Sequence, residues 1–279
     1  MAQPREVTRS RKRFGQHFLE SAWVQKVLRA IGPEAEQRFI EIGPGRGALT
    51  RPLAERVAHV TAYEIDRDMV AALRATAPPN LTVVEGDFLV VTAHDMATAG
   101  GADGLVRVAG NLPYNIGSPI LFKLLDLFAA GIPLADATLM LQKEVAERLL
   151  APPGTRDYGV LSVLIRHRAK VSRLLALPPG AFRPAPRVDS TLVRLEFHPP
   201  EPAVVNAPLF ETLVQAVFTR RRKTIANALL AFPDARRIPP IDALVRAGLD
   251  GSRRPETLAI AELGRLADVF AVDSGRAVL

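Results

Sequence analysis

A chain of 279 residues, 48% apolar and 23% charged, is long enough for a sizeable core and too apolar to be a disordered chain. Its 36 Lys and Arg against 29 Asp and Glu leave a net charge of +7, which favours an acidic partner, nucleic acid first. The absence of cysteine excludes disulfides, thiolate zinc sites, cysteine nucleophiles and the cysteine-ligated nucleobase deaminases, and no apolar run reaches the ~18 residues of a membrane span.

Residues 1–13 hold Arg5, Arg9, Arg11, Lys12 and Arg13 with almost nothing apolar, the composition of a basic arm. They run into Phe14-Gly15-Gln16-His17-Phe18-Leu19, not into the apolar segment of a secretory signal, and a reducing cytoplasm is the expected compartment. Trp23, Val24, Val27, Leu28 and Ile31 then follow at helical spacing, stopped by Gly32-Pro33.

Arg38-Phe39-Ile40-Glu41-Ile42 reads as a strand running directly into Gly43-Pro44-Gly45-Arg46-Gly47. Glycines at a strand-to-helix turn let a ligand approach the backbone. The spacing Gly43, Gly45, Ala48 also satisfies the loose dinucleotide pattern, so it does not choose the cofactor by itself. His59 to Glu64 is a second strand, and Glu64 lies about twenty residues past the first glycine, where an acid can accept hydrogen bonds from ribose hydroxyls. Leu81 to Asp87 is a third strand with an acid at its end. Strands that carry polar groups at their carboxyl ends build one crevice.

The fourth strand, Leu105 to Gly110, delivers Asn111-Leu112-Pro113-Tyr114. An Asn side chain has one acceptor and two donors. Pro113 keeps Leu112 out of helical geometry, and Tyr114 offers a flat face. Such a stretch can hold a planar ring by its face and accept hydrogen bonds from an exocyclic amine. A helix (Ile120 to Phe128), a strand (Ala137 to Gln142), two more helices and two closing strands (Val171 to Leu177, Thr191 to Phe197) follow. The stiff loop Phe182 to Ser190 carries Arg183 and Arg187, and Phe182 either stacks on a base or belongs to the core.

His198-Pro199-Pro200-Glu201-Pro202 marks a boundary between a first domain, 14–198, and an all-helical second one, 199–279. Arg220-Arg221-Arg222-Lys223 follows an apolar helical face there. Four adjacent cations repel one another, so a polyanion is the expected partner. No phosphate-binding P-loop or serine nucleophile elbow occurs, and the five histidines lack metal-ligand spacing.

Taken in order, Phe14 to Leu19, Glu41 to Gly47, Asn111 to Tyr114, Phe182 to Ser190 and Arg221-Arg222-Lys223-Thr224 resemble the S-adenosylmethionine-dependent rRNA adenine dimethyltransferases, most closely the bacterial small-subunit type. The resemblance runs from Arg13 to about Phe270. It departs at His17, where many members carry Asn. It implies a Rossmann-like α/β methyltransferase domain with a small all-helical RNA-binding domain, and no metal. It places cofactor contacts at His17, Leu19, Gly43, Glu64, Asp87 and Asn111, with Gly45 on the glycine turn. Catalysis is expected from Asn111, Leu112, Pro113, Tyr114 and Phe182, and RNA binding from Arg220, Arg221, Arg222, Lys223, Arg183 and Arg187. The implied reaction is N6,N6-dimethylation of two adjacent adenosines in the 3′-terminal hairpin loop of small-subunit rRNA, by a monomer acting on an assembling subunit. The rival readings are a large-subunit methylase of the antibiotic-resistance type and a non-catalytic assembly factor. NAD-dependent redox chemistry is a third, and it gives Asn111 to Tyr114 no place.

Overall fold

The structure is a computed structural model that describes residues 17–96, 104–113 and 116–275. The basic arm, 1–13, and Tyr114 lie outside the described residues. Within them, helix α1 (Ser21–Ile31) buries Val24, Val27, Leu28 and Ile31, a single helical stripe. It ends at Gly32, whose φ of 63° lets its N–H return to the Leu28 carbonyl at 2.9 Å.

The strands β2 (Arg38–Ile42), β3 (His59–Glu64), β4 (Leu81–Glu85), β5 (Val106–Asn111), β6 (Leu134–Gln142), β7 (Ala169–Leu177) and β9 (Ser190–Phe197) form a seven-stranded sheet. Their order is β4-β3-β2-β5-β6-β9-β7. The first five run parallel, and β9 is antiparallel to both its neighbours. β2, β3 and β5 are buried along almost their whole length, as strands covered on both faces must be. Successive residues serve opposite faces: Ile40, Ile42 and Val108 join one apolar cluster, while Phe39, Val60 and Ala109 join the other. Helices α5 (Gly117–Ala129) and α6 (Lys143–Leu150) cover the first face. Helices α1, α2 (Thr50–Ala54) and α3 (Arg67–Arg74) cover the second. This is the Rossmann-like α/β arrangement.

The strand order reverses direction between β2 and β5, which opens a crevice at their carboxyl ends. At the amino ends a buried charge network closes the sheet. Arg107 donates to both Asp136 oxygens (2.9 and 2.8 Å) and to the carbonyls of Ile31 and Gly32. Arg194 donates to the carbonyls of Ala30 and Ile31 and lies 3.3 Å from Asp136. Both guanidinium groups thus satisfy the carbonyl end of α1, which would otherwise be buried without partners.

A second apolar core is built from α8 (Ala207–Thr219), α9 (Ile225–Ala228), α10 (Pro240–Ala247) and α11 (Ile260–Gly275). It also takes Tyr158, and Val163 and Leu164 of α7 (Val160–Arg166), while Ile165 of the same helix packs into the first core. Helix α7 therefore contributes buried residues to both cores. The Tyr158 hydroxyl donates to the Leu258 carbonyl at 2.9 Å.

Candidate active site

The carboxyl ends of β2, β3, β4 and β5 surround a cavity of about 270 Å³. His17, Leu19, Gly43, Gly45, Glu64, Asp87, Asn111, Leu112 and Pro113 all line it. Residues chosen for cofactor and chemistry thus meet in one place although nearly a hundred positions separate them.

The glycine turn is held by the strand beside it. The Gly43 N–H donates to the Tyr63 carbonyl, and the Gly45 N–H donates to Glu64 Oε2, both at 2.9 Å. Gly45 has φ +55°, and a Cβ there would stand 3.0 Å from the Phe18 ring, so only glycine fits without strain. Gly110 answers a different need: a Cβ would come within 2.8 Å of the Ile42 carbonyl oxygen, blocking the approach of β5 to β2.

Glu64 is buried, and its Oε1 accepts from the Ile65 and Asp66 N–H groups at 3.0 Å each. Three amides therefore donate to the carboxylate, and about one of its four acceptor sites remains for a ligand. Asp87 accepts from the Leu89 N–H through Oδ1 at 2.9 Å. At the end of β5, Asn111 Nδ2 donates to the His17 carbonyl at 2.7 Å. That bond commits one end of the amide and leaves Oδ1 as its acceptor end. The Leu112 side chain is buried in the first core and anchors the loop, and the Pro113 carbonyl accepts from Ile116 N at 3.1 Å.

The segment that brings His17 to Asn111 is a short ribbon. β1 (Phe18–Leu19) pairs antiparallel with β8 (Phe182–Arg183), and the Glu20 N–H donates to the Ala181 carbonyl. His17 Nδ1 lies 2.7 Å from the Pro184 carbonyl oxygen, and Arg183 Nε donates to Glu20 at 2.9 Å. Arg46 lies across the Phe18 ring, 4.5 Å from its centroid.

Two expectations need correction. Phe182 is 2% exposed. Its pairing with Leu19 buries the ring in the second face of the sheet, so it braces the wall and presents no free face to a base. Arg221 is not free for phosphate: it pairs with Glu256 at 2.9 Å and donates to the Arg156 carbonyl at 2.6 Å. Arg183 pairs with Glu20, but its side chain stays 81% exposed. Arg220, Arg222, Lys223 and Arg187 are exposed.

Sequence reasoning missed Phe18 and Met140 on the cavity wall, which read as ordinary core residues. It also passed over Glu41, an acid inside an otherwise apolar strand, and that oddity is the signal that would have found it. Glu41 is 2% exposed and lines the cavity. Its Oε2 and the Thr50 hydroxyl have no hydrogen-bond partner. Burial raises the Glu41 carboxyl to about 7; Thr50, near but outside hydrogen-bond geometry, lowers it somewhat, and Glu64 raises it further. Among the described residues the cavity is lined by these acids and by no Lys or Arg. An orphaned buried carboxylate oxygen in such a wall suits a positively charged ligand, and S-adenosylmethionine, a sulfonium bearing an ammonium group, fits it.

The family model for ribosomal RNA adenine dimethylase matches residues 7–262. The chain belongs to this family. It is 44% identical over 273 residues to ribosomal RNA small subunit methyltransferase A of Aromatoleum aromaticum, covering 97% of each chain. The Bordetella pertussis protein of that name is 45% identical over 267 residues, with 94% of each covered. Among solved structures, a dimethyladenosine transferase from Plasmodium falciparum superposes with TM-score 0.73 at 25% identity, over 90% of this chain and 96% of that one. The 23S rRNA methyltransferase ErmE gives 0.66 at 27% identity, over 91% and 99%. The family's fold therefore serves both subunits' RNA, and fold alone does not separate them. Among the described residues no group of His, Asp and Glu is placed to hold a metal ion, and no helix is long and apolar enough to cross a membrane.

Proposed function

We propose that this protein transfers methyl groups from S-adenosylmethionine to N6 of two adjacent adenosines in the 3′-terminal hairpin loop of small-subunit rRNA, as a monomer acting on an assembling subunit in the cytoplasm. The small-subunit relatives at 44–45% identity favour this substrate over large-subunit RNA. The cavity with its glycine turn, Glu64 and Asp87 supports the cofactor and disfavours a purely structural role in assembly.

The observation that carries the chemistry is the bond from Asn111 Nδ2 to the His17 carbonyl. When bound, S-adenosylmethionine supplies a methyl group on a positively charged sulfur. The adenine amine is a weak nucleophile because its lone pair is delocalised into the ring. Asn111 Oδ1 and the Leu112 carbonyl accept its two N–H bonds, which favours a pyramidal nitrogen with its lone pair facing the methyl group. Held this way, the nitrogen would take the methyl group as its bond to the donor's sulfur breaks, and the amine's surplus proton would pass to solvent. No strong base is required, because the rate comes from orientation and preorganised dipoles. Glu64 would hold the ribose hydroxyls of the cofactor, and Asp87 would be a further contact to it. Tyr114 stacks on the target base once it leaves its helix.

Asn111→Ala tests this directly. In single-turnover methylation of unmodified small-subunit particles, the variant should be slower by about 10²–10³-fold, as for loss of one preorganised polar contact. Its particle affinity should match wild type, and its stability should fall only by the lost bond to the His17 carbonyl, about 1 kcal/mol. A near-normal rate would contradict the orientation mechanism.

A further inference from the structure

The Asn111 amide is oriented from outside its own sheet. Toward β2 its neighbour is Gly43, which has no side chain; a Cβ there would stand 3.8 Å from the Asn111 carbonyl oxygen. Toward β6 its register partner is Met140, whose thioether is a weak hydrogen-bond partner. The bond that orients the amide comes from far along the chain: Nδ2 donates to the His17 carbonyl at 2.7 Å across 94 positions. His17 stands immediately before β1, and β1 pairs with β8, Phe18 with Arg183 and Leu19 with Phe182. That ribbon holds the His17 carbonyl from one side. The His17 ring holds it from the other, with Nδ1 2.7 Å from the Pro184 carbonyl oxygen. A carbonyl can only accept, so the proton of that bond sits on Nδ1. Pro184 is a firm anchor, because its ring fixes φ and the loop it belongs to is rooted by the buried Phe182.

We propose that His17 is a positioning residue: its imidazole, tied to Pro184, holds the carbonyl that orients the Asn111 amide, so that the loop 182–190 sets the geometry of methyl transfer. This rests on the reading of Asn111 as the group that orients the target amine. An amide released at its Nδ2 end is free to turn and present Nδ2 in place of Oδ1, and a donor there cannot accept the amine's N–H. The reach of the side chain decides which replacement keeps the tie. Nδ1 of His lies two bonds beyond Cβ. The amide nitrogen of an Asn side chain lies at the same reach, that of Gln lies one bond further out, and Ala has no donor.

The test is single-turnover methyl transfer from saturating S-adenosylmethionine to unmodified small-subunit particles, with S-adenosylhomocysteine affinity measured by calorimetry. The full chain is compared with His17→Ala, His17→Asn and His17→Gln, each alone and combined with Asn111→Ala. His17→Ala and His17→Gln should slow transfer by about 10–100-fold, the scale of a misplaced reacting group, with cofactor affinity within about twofold of wild type. His17→Asn should hold the rate within about threefold of wild type. Added to Asn111→Ala, each change should cost less than about a further threefold, because the imidazole acts through that amide. An unchanged rate in His17→Ala would overturn the proposal. So would a loss confined to cofactor affinity, equal rates for His17→Asn and His17→Gln, or losses that multiply with that of Asn111→Ala. Each of these means that the ring serves a ligand or the fold at large. Absence of transfer by the wild-type protein would instead overturn the reading of the function. Should His17→Ala misfold, nitrogen-15 correlation spectra of wild type report which ring nitrogen of neutral His17 carries the proton. A proton on Nδ1 supports the tie to Pro184, and a proton on Nε2 contradicts it.

Discussion

Two neighbouring acids on the cavity wall are handled in opposite ways. Glu64 is surrounded by amide donors from Gly45, Ile65 and Asp66, so it shapes the glycine turn, and under the proposed function it also serves a ligand. Glu64→Ala should therefore weaken S-adenosylhomocysteine binding by about 1.5–3 kcal/mol and also lower the melting temperature of the empty protein. Equal affinities would remove Glu64 from the site. Glu41 has no such donors, and its folded-state value of about 7 lies above the ordinary 4.5. The stability its neutral form contributes is complete below about pH 4.5 and is lost as the pH rises through 7. Glu41→Gln keeps the shape without the charge. Relative to wild type, the empty variant should gain on the order of 2–3 kcal/mol between pH 4.5 and pH 8. Denaturant unfolding at the two pH values measures this, and a pH-independent difference would mean that the buried carboxyl is not held neutral.

At the scale of elements, the cation cluster after α8 divides by partner. Arg221 bridges to Glu256 and to the loop at Arg156. Arg221→Ala should thus cost stability, about 1 kcal/mol for a partly exposed pair, with little change in the salt dependence of RNA binding. Replacing Arg220, Arg222 and Lys223 together should leave stability alone and flatten the log–log salt slope by roughly 2.1–2.7 if all three touch phosphate. Binding to unmodified small-subunit particles across a salt series separates the two; parallel lines for the triple variant would mean a solvated turn. The division was invisible in Arg220-Arg221-Arg222-Lys223, because the pairing acid lies 35 positions away. The same holds for Phe182. Its place in the core depends on β1 crossing to pair with β8, a two-residue contact with no periodicity to announce it. The long elements were legible because each buries one regular stripe or lies wholly inside the sheet, as α1 and β2 do. The cavity wall was legible where polar residues end apolar strands: Glu64, Asp87 and Asn111. What stayed hidden were pairings across distant sequence, such as Arg107 and Arg194 on Asp136 and Asn111 on the His17 carbonyl.

At the scale of the molecule, the sheet puts charge and chemistry at opposite ends. The buried arginine network locks the amino ends of the strands. The carboxyl ends open into the cavity, and α7 shares its buried residues between the first core and the helical second core. Under the proposed function, the helical unit of a chain with net charge +7 would hold RNA while one adenine enters the crevice beside Asn111. The most direct test of the account is labelled methyl transfer to particles. The purified protein should be supplied with S-adenosylmethionine and with small-subunit particles lacking the modification, large-subunit particles, or naked RNA, and the modified bases mapped. The account predicts two methyl groups on each of two adjacent adenosines near the 3′ end of the small-subunit RNA, and none on the large subunit. Methylation of large-subunit RNA, or stable particle binding without any transfer, would contradict it.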